Sequence, residues 1–341
     1  MGFTNGKISI EFYKERGIFM KKFLSKLVPL FIIALIIVLC IGAYDYVIDL
    51  EEEKEEFANE VQNEKAEIST EPIFTKEDFP RIDASLATQP LTNAFYENFT
   101  GESSENIEPD YSNTHPAYQK LIKGEKDLIV VTEPSEDELN LAKEEGVELV
   151  VTPVVKEGFV FYINAENPVE SLTIEQIQDI YTGKITNWKE VGGNDADIRA
   201  FQRPDNSGSQ TGMYSLVMRG KEIMEAPKED LIETMFDIVN LVSSYDNGIN
   251  SIGYSYYYYA TTIYDTLDAT VKDRIKFLGI EGVKPSNQTI MDETYPLNTA
   301  YYIVTRKDNT DENVQKLFDA MLSARGQNVA EEAGYVRVNA Q

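Results

Sequence analysis

Residues 201–213 read FQRPDNSGSQTGM, and the rest of the chain is organised around them. An apolar-edged run, IRAFQ (198–202), delivers a lone arginine, Arg203. Pro204, Asp205 and Asn206 are turn formers, and Ser207-Gly208-Ser209 open a helix predicted to run through Met213, Leu216 and Val217. Strand, turn and small-residue helix start together present free backbone N–H groups and hydroxyls to an anion. Arg203 stands four residues before Ser207 and can lay a planar fork on the same anion. On these residues alone, a surface arginine before an ordinary polar turn explains the pattern equally well.

The chain has 341 residues, enough for two lobes and an appendage, and its 42% hydrophobic content supplies sizeable cores. Its formal net charge is −27. Residues 1–26 run against that balance, with six Lys/Arg opposed only by Glu11 and Glu15, so the remainder is more acidic still. Such a body argues against nucleic acid or an anionic membrane surface as partners. A small anion in a buried site remains compatible, because distant surface charge is screened within about 8 Å at physiological salt. There is one cysteine, Cys40, and one histidine, His115. A Cys/His zinc site lacks ligands, no metal site or cofactor is expected, and a Ser-His-Asp triad has only His115 to use. No Gly-rich phosphate loop or dinucleotide fingerprint occurs.

Residues 27–44, LVPLFIIALIIVLCIGAY, form an eighteen-residue run without a charge, preceded by Lys21, Lys22 and Lys26 and followed by acidic residues. The run exceeds a signal-peptide core, and its positive flank belongs inside. The expectation is a basic cytoplasmic N-terminus (1–26), a transmembrane signal anchor (27–44) and an acidic stalk (45–78), placing the C-terminal domain outside the cell membrane. A cleaved signal peptide and a lipid anchor on Cys40 are the alternatives, and Met20 reads as an alternative start.

Along the body, Ser85, Thr88 and Pro90 open a helix through Leu91, Phe95 and Phe99, and Thr114 precedes a Pro-started helix through Leu121. Residues 127–132 read as a strand buried on both faces. Ser135 with Glu138 and Thr173 with Gln176 are capping boxes, their helices stopped by Gly146 and Gly183. Residues 148–155 and 158–163 read as two strands, 231–242 as helix, 251–254 as the start of a strand, 276–280 and 300–305 as strands and 313–323 as a terminal helix. The run Tyr256–Tyr259 reads as packing rather than ligand stacking. Strands alternating with helices and no separating linker indicate α/β lobes with a ligand cleft between them.

Several segments together resemble one family: PRIDASLATQPL (80–91), the stretch from Asn167 to Gly193 with its helix, Trp188 and double glycine, RPDNSGSQT (203–211), NSIGYSYYYYA (250–260) and SARGQNVAEEAGYVRV (323–338). From about Pro80 to Val338 the chain resembles the phosphate-binding type of bacterial extracytoplasmic solute-binding proteins, the receptors of phosphate ABC importers. The resemblance implies a two-lobed periplasmic-binding-protein-like (type II) α/β fold, with lobe 1 at 79–155 plus 254–341 and lobe 2 at 156–253. It implies a non-enzymatic, monomeric receptor that closes on a small oxyanion, phosphate foremost, and delivers it to ABC permease subunits. Thr88, Thr114 (with Ser112 as the neighbouring alternative), Arg203, Ser207, Gly208 and Ser209 match the family's anion ligands. Ser85 joins them on physical grounds. Where phosphate-specific members carry an aspartate that accepts the ligand's proton, Thr132-Glu133 stands here; Thr132 is then a ligand candidate, and Glu133 either the acceptor or part of the next helix. Hinges are expected near Pro153–Glu157 and Asn250–Ser255. The alternative is a membrane-anchored sensor or surface module that kept the fold with altered or lost phosphate binding.

Overall fold

The computed structural model describes residues 71–106, 111–244, 248–266 and 273–338. The expected cytoplasmic segment, the 27–44 anchor and all but the end of the stalk lie outside these residues. No helix among the described residues is long and apolar enough to cross a membrane.

Among the described residues the first elements are strand β1 (Ile82–Ala84), helix α1 (Gln89–Thr100), α2 (Thr114–Ile122), β2 (Leu128–Val131) and α3 (Glu136–Glu144). Next come β3 (Leu149–Asn164), β4 (Ser171–Leu172), α4 (Ile174–Tyr181), β5 (Arg199–Ala200), α5 (Gly208–Gly212) and α6 (Met235–Ser243). Then follow β6 (Ser251–Tyr256), α7 (Tyr257–Thr266), β7 (Ile275–Phe277), β8 (Gly279–Ile280) and α8 (Asn287–Met291). The last elements are β9 (Asn298–Arg306), α9 (Glu312–Leu322), α10 (Ala324–Glu332) and β10 (Val336–Arg337).

The sequence predicts two strands where the structure has one, the 16-residue β3. The predicted gap, residues 156 and 157, pairs with β9 throughout, and Pro153, which has no N–H to donate, lies within the strand. The strand absorbs it as an irregularity, with the β9 register shifting between Pro153 and Val155. β3 then serves as the spine of a mixed sheet ordered β1-β2-β9-β3-β6-β5. Its first part pairs antiparallel with β9 as far as Gly158, and from Phe159 it pairs antiparallel with β6. The expected lobe boundaries at 155/156 and 253/254 therefore fall inside β3 and β6.

Helix α1 buries the Leu91, Phe95 and Phe99 stripe completely, with the two phenyl rings stacked at 5.7 Å. Each such side chain contributes about 1.5–3 kcal/mol by leaving water. Both predicted capping boxes form, Ser135 with Glu138 on α3 and Thr173 with Gln176 on α4. Helix α6 is shorter than the predicted 231–242. Gln202 N donates to Asp230 O at 2.9 Å and Ile232 N to Gln202 O at 2.8 Å, so residues 230–232 are spent extending the sheet edge beside β5. Thr234 caps the helix that follows. Near the C-terminus the predicted helix is followed by a second, α10, capped by Ser323. The tyrosine run divides, Tyr256 ending β6 and Tyr257 opening α7.

Candidate functional site

A cavity of about 350 Å³ opens where the C-terminal ends of β1 and β2 face the 203–209 loop. Ser85, Thr114 and Thr132 line one wall and Arg203, Ser207, Gly208 and Ser209 the other. Seven of the eight predicted ligand residues thus meet at one place.

The second wall is built by a turn. Ser207 N donates to Pro204 O at 3.2 Å, and Asn206 takes the left-handed conformation, φ 62°, that asparagine tolerates better than most residues. Ser207 then caps α5, its Oγ accepting from Gln210 N at 3.3 Å. The chain continues from α5 into a π-helical turn, Met213–Met218, so Leu216 and Val217 are helical as predicted but more loosely wound. Arg203 is fixed through its backbone, whose N–H donates to Tyr254 Oη at 3.0 Å and to Gln210 Oε1 at 3.1 Å. Its Nη2 donates to Glu233 O at 2.7 Å. Nε and Nη1 are buried without any hydrogen-bond partner, and Arg203 forms no ion pair among the described residues. Burial pulls the guanidinium below its ordinary pKa. Arginine stays charged regardless, so the wall carries a desolvated cation with two donors to spare.

The first wall is a set of hydroxyls from three elements. Asp83 settles which hydroxyl of the 112–114 segment faces inward. Its buried carboxylate accepts from Ser112 N at 2.8 Å and Ser112 Oγ at 2.6 Å, which occupies Ser112 and leaves Thr114 on the cavity. Thr114 begins α2 two residues ahead of Pro116, which fits the first turn because its missing N–H would have no partner there. Thr132 follows β2, and its Oγ1 is buried and unpartnered, as is Ser209 Oγ across the cavity. Glu133, by contrast, turns away and accepts from Ser215 Oγ. The position that the resemblance reserves for a proton acceptor therefore holds a hydroxyl.

Thr88 is the one candidate that does not line the cavity. It is fully buried; its Oγ1 donates to Val130 O and accepts from Ser85 N at 3.1 Å, with Ser85 Oγ at 2.9 Å. Thr88 ties the Ser85 loop to β2 from behind.

Gly208 has a steric reason to be glycine. A Cβ there would come within 2.7 Å of Thr132 Oγ1 and 2.9 Å of Thr114 Oγ1, filling the gap between the walls. Tyr256 and Tyr259, which the sequence assigns to packing, also line the cavity. Tyr256 Oη donates to Gly208 O at 2.9 Å, and burial pushes its phenol well above the ordinary value. The available signal was the two-residue spacing of Tyr254 and Tyr256, which puts both on one face of β6 toward α5. His115 lines the rim with Nδ1 3.0 Å from Glu138 Oε1 and Nε2 3.0 Å from Gln119 Nε2. No group of His, Cys, Asp and Glu fit to hold a metal occurs among the described residues.

The arrangement offers a buried cation and hydroxyl donors around a small space, and so suits holding an anion. Residues 81–325 match the PBP superfamily domain, and the chain belongs to that family, whose members are binding receptors and not enzymes. The chain is 26% identical over 233 residues to the phosphate-binding protein PstS of Bacillus subtilis (strain 168), covering 67% of this chain and 70% of that one. It is 25% identical over 266 residues to PstS of Staphylococcus saprophyticus, covering 74% and 78%. Among solved structures, an ABC-type phosphate transport receptor from Vibrio cholerae superposes with a TM-score of 0.57 at 24% identity, over 75% of this chain and 98% of that chain. That superposition bears on the fold alone.

Proposed function

We propose that the chain is a membrane-tethered extracytoplasmic receptor that captures a small oxyanion, phosphate foremost, and hands it to the permease of an ABC importer. The observation that carries this reading is the set of buried donors without partners on the cavity wall: Arg203 Nε and Nη1, Ser209 Oγ and Thr132 Oγ1. A buried donor left unsatisfied costs about 1–3 kcal/mol, and a charged one more, so a chain that keeps four of them around one space has a use for them. The PstS relatives supply the ligand class, and the apolar 27–44 run supplies the tether, oriented by its positive flank. Capture proceeds by closure of the 79–155 plus 254–341 lobe on the 156–253 lobe, with β3 and β6 bending where they cross.

Thr132 bears on selectivity. A carboxylate at that place would accept a proton from hydrogen phosphate and repel sulfate, whereas a hydroxyl accepts or donates as the ligand requires. The discrimination between phosphate and sulfate is therefore expected to be shallow. Titration calorimetry with phosphate, sulfate and molybdate tests the reading: heat from phosphate with sulfate following closely is the expected result. No heat from any of the three would overturn it and leave the anchored sensor or surface module in its place.

A further inference from the structure

Two side-chain bridges cross between the walls at the edge of the cavity, which Asn206 itself lines. Asn206 Nδ2 donates to Asp137 Oδ2 at 2.8 Å, and Ser215 Oγ donates to the Glu133 carboxylate. Glu133 and Asp137 stand in the segment that leaves β2 and opens α3, on the Thr132 side. Asn206 and Ser215 bracket α5 and the residues Ser207–Ser209 on the other side. The partners are 69 and 82 residues apart in sequence, so neither bridge is a by-product of local chain geometry.

From these contacts we infer that Glu133 and Asp137 are positioning residues for ligand capture: they hold both ends of the anion-binding segment against the hydroxyl wall. The inference rests on the oxyanion reading above. The chemistry is suited to the place. Two carboxylates beside an anion site would repel the ligand if they pointed into it; committed to a neutral amide and a neutral hydroxyl, they lend attraction to closure instead. Asn206 is fitted to its part twice, since the turn asks for a positive φ and the bridge asks for an amide donor. Glycine would satisfy only the first requirement.

The test has a ligand-free arm and a ligand-bound arm, run on the full chain with Cys40 replaced by serine. Spin labels on cysteines introduced at Leu139 and Leu231, 49% and 43% exposed, report the distance between the walls without any anion present. N206D sets like charges face to face and is expected to lengthen that distance; D137N added to it restores donor to acceptor and returns the distance to the wild-type value. N206G keeps the turn and is expected to lengthen it less. With inorganic phosphate, N206D raises the dissociation rate about threefold to tenfold while the association rate and melting temperature hold, and D137N rescues it. An N206D distance equal to wild type, or a failure of D137N to rescue, overturns the inference. A wild type that binds no anion overturns the oxyanion reading instead, and the distance arm still decides the role of the bridges.

Discussion

The two walls of the cavity are built on opposite plans. The arginine wall is one unbroken stretch, 203–209, whose turn, cap and cation all follow one another in the chain. The hydroxyl wall collects Ser85, Thr114 and Thr132 from the ends of three different elements and has no charge of its own. On the arginine wall the buried unpartnered groups include a full positive charge; on the hydroxyl wall the buried unpartnered oxygen is Thr132 Oγ1. Affinity should therefore be concentrated on the first wall, with the second contributing shape and a smaller share of donors.

The sharpest way to break that asymmetry is Arg203→Ala. It removes two free donors and the countercharge of the ligand, each charge-assisted bond contributing about 1.5–3 kcal/mol. Oxyanion affinity is expected to fall by about two to four orders of magnitude in calorimetry. Arg203→Lys should recover little, because a point charge on a flexible stem cannot present Nε and Nη1 together while still reaching Glu233 O. An affinity left intact by Arg203→Ala would mean that the ligand lies elsewhere.

The junction of β3 and β6, behind both walls, holds a second sizeable effect, on stability. Glu157 sits fully buried where β3 passes from β9 to β6, and burial pushes its carboxyl up to about 7. The backbone N–H groups of Gly158, at 2.8 Å, and Tyr258, at 3.2 Å, work against that by favouring the ionised form. A folded-state pKa above the unfolded one means that the folded chain binds more protons between the two values. The contribution is complete below the ordinary glutamate range and is lost as pH rises through about 7. A shift of that size corresponds to about 3 kcal/mol. Chemical denaturation of the wild type should show this extra loss between pH 5 and 8, and Glu157→Gln should flatten the profile. An unchanged profile in Glu157→Gln would remove Glu157 as its source.

How much of this was legible in the chain follows the same division between contiguous and assembled features. Residues 203–209 could be read directly because every member of that wall lies within one local turn and cap, and local rules govern local pieces. Thr114 ranked first in the sequence, but the alternative, Ser112, could be set aside only through its contact with Asp83, 29 residues away. Thr88 carries the right side chain at the right helix start yet faces Val130 O instead of the cavity, because a cap position fixes where a residue stands and not which way its hydroxyl turns. The same applies to β3. Residues 148–155 and 158–163 read as separate strands, and only the long β9 partner, pairing through Lys156 and Glu157 as far as Gly158, makes one strand of them. Tyr256 was read as packing, which is half correct: it is buried, and its hydroxyl also reaches Gly208 O beside the cavity.

The finest contrast lies between Thr132 on the hydroxyl wall and Thr88 behind it, two buried threonines. Thr132 Oγ1 has no partner, so Thr132→Val removes an unsatisfied oxygen at nearly constant volume; stability should hold or rise by about 1 kcal/mol. The same change deprives the ligand of a donor, and affinity should fall roughly fivefold to tenfold, a neutral hydrogen bond's share. Thr88→Val does the reverse. It removes the hydroxyl that donates to Val130 O and meets Ser85 Oγ, although Ser85 N and Val130 O keep each other as partners at 3.2 Å, and should cost about 1 kcal/mol in denaturation while leaving affinity within about threefold. Opposite signs for stability and affinity at Thr132, against a stability loss alone at Thr88, would separate a hydroxyl kept for the ligand from one kept for the fold. Matching losses of stability at both positions would show that Thr132 is bonded within the folded chain, and would leave Arg203 and Ser209 as the free donors of the site.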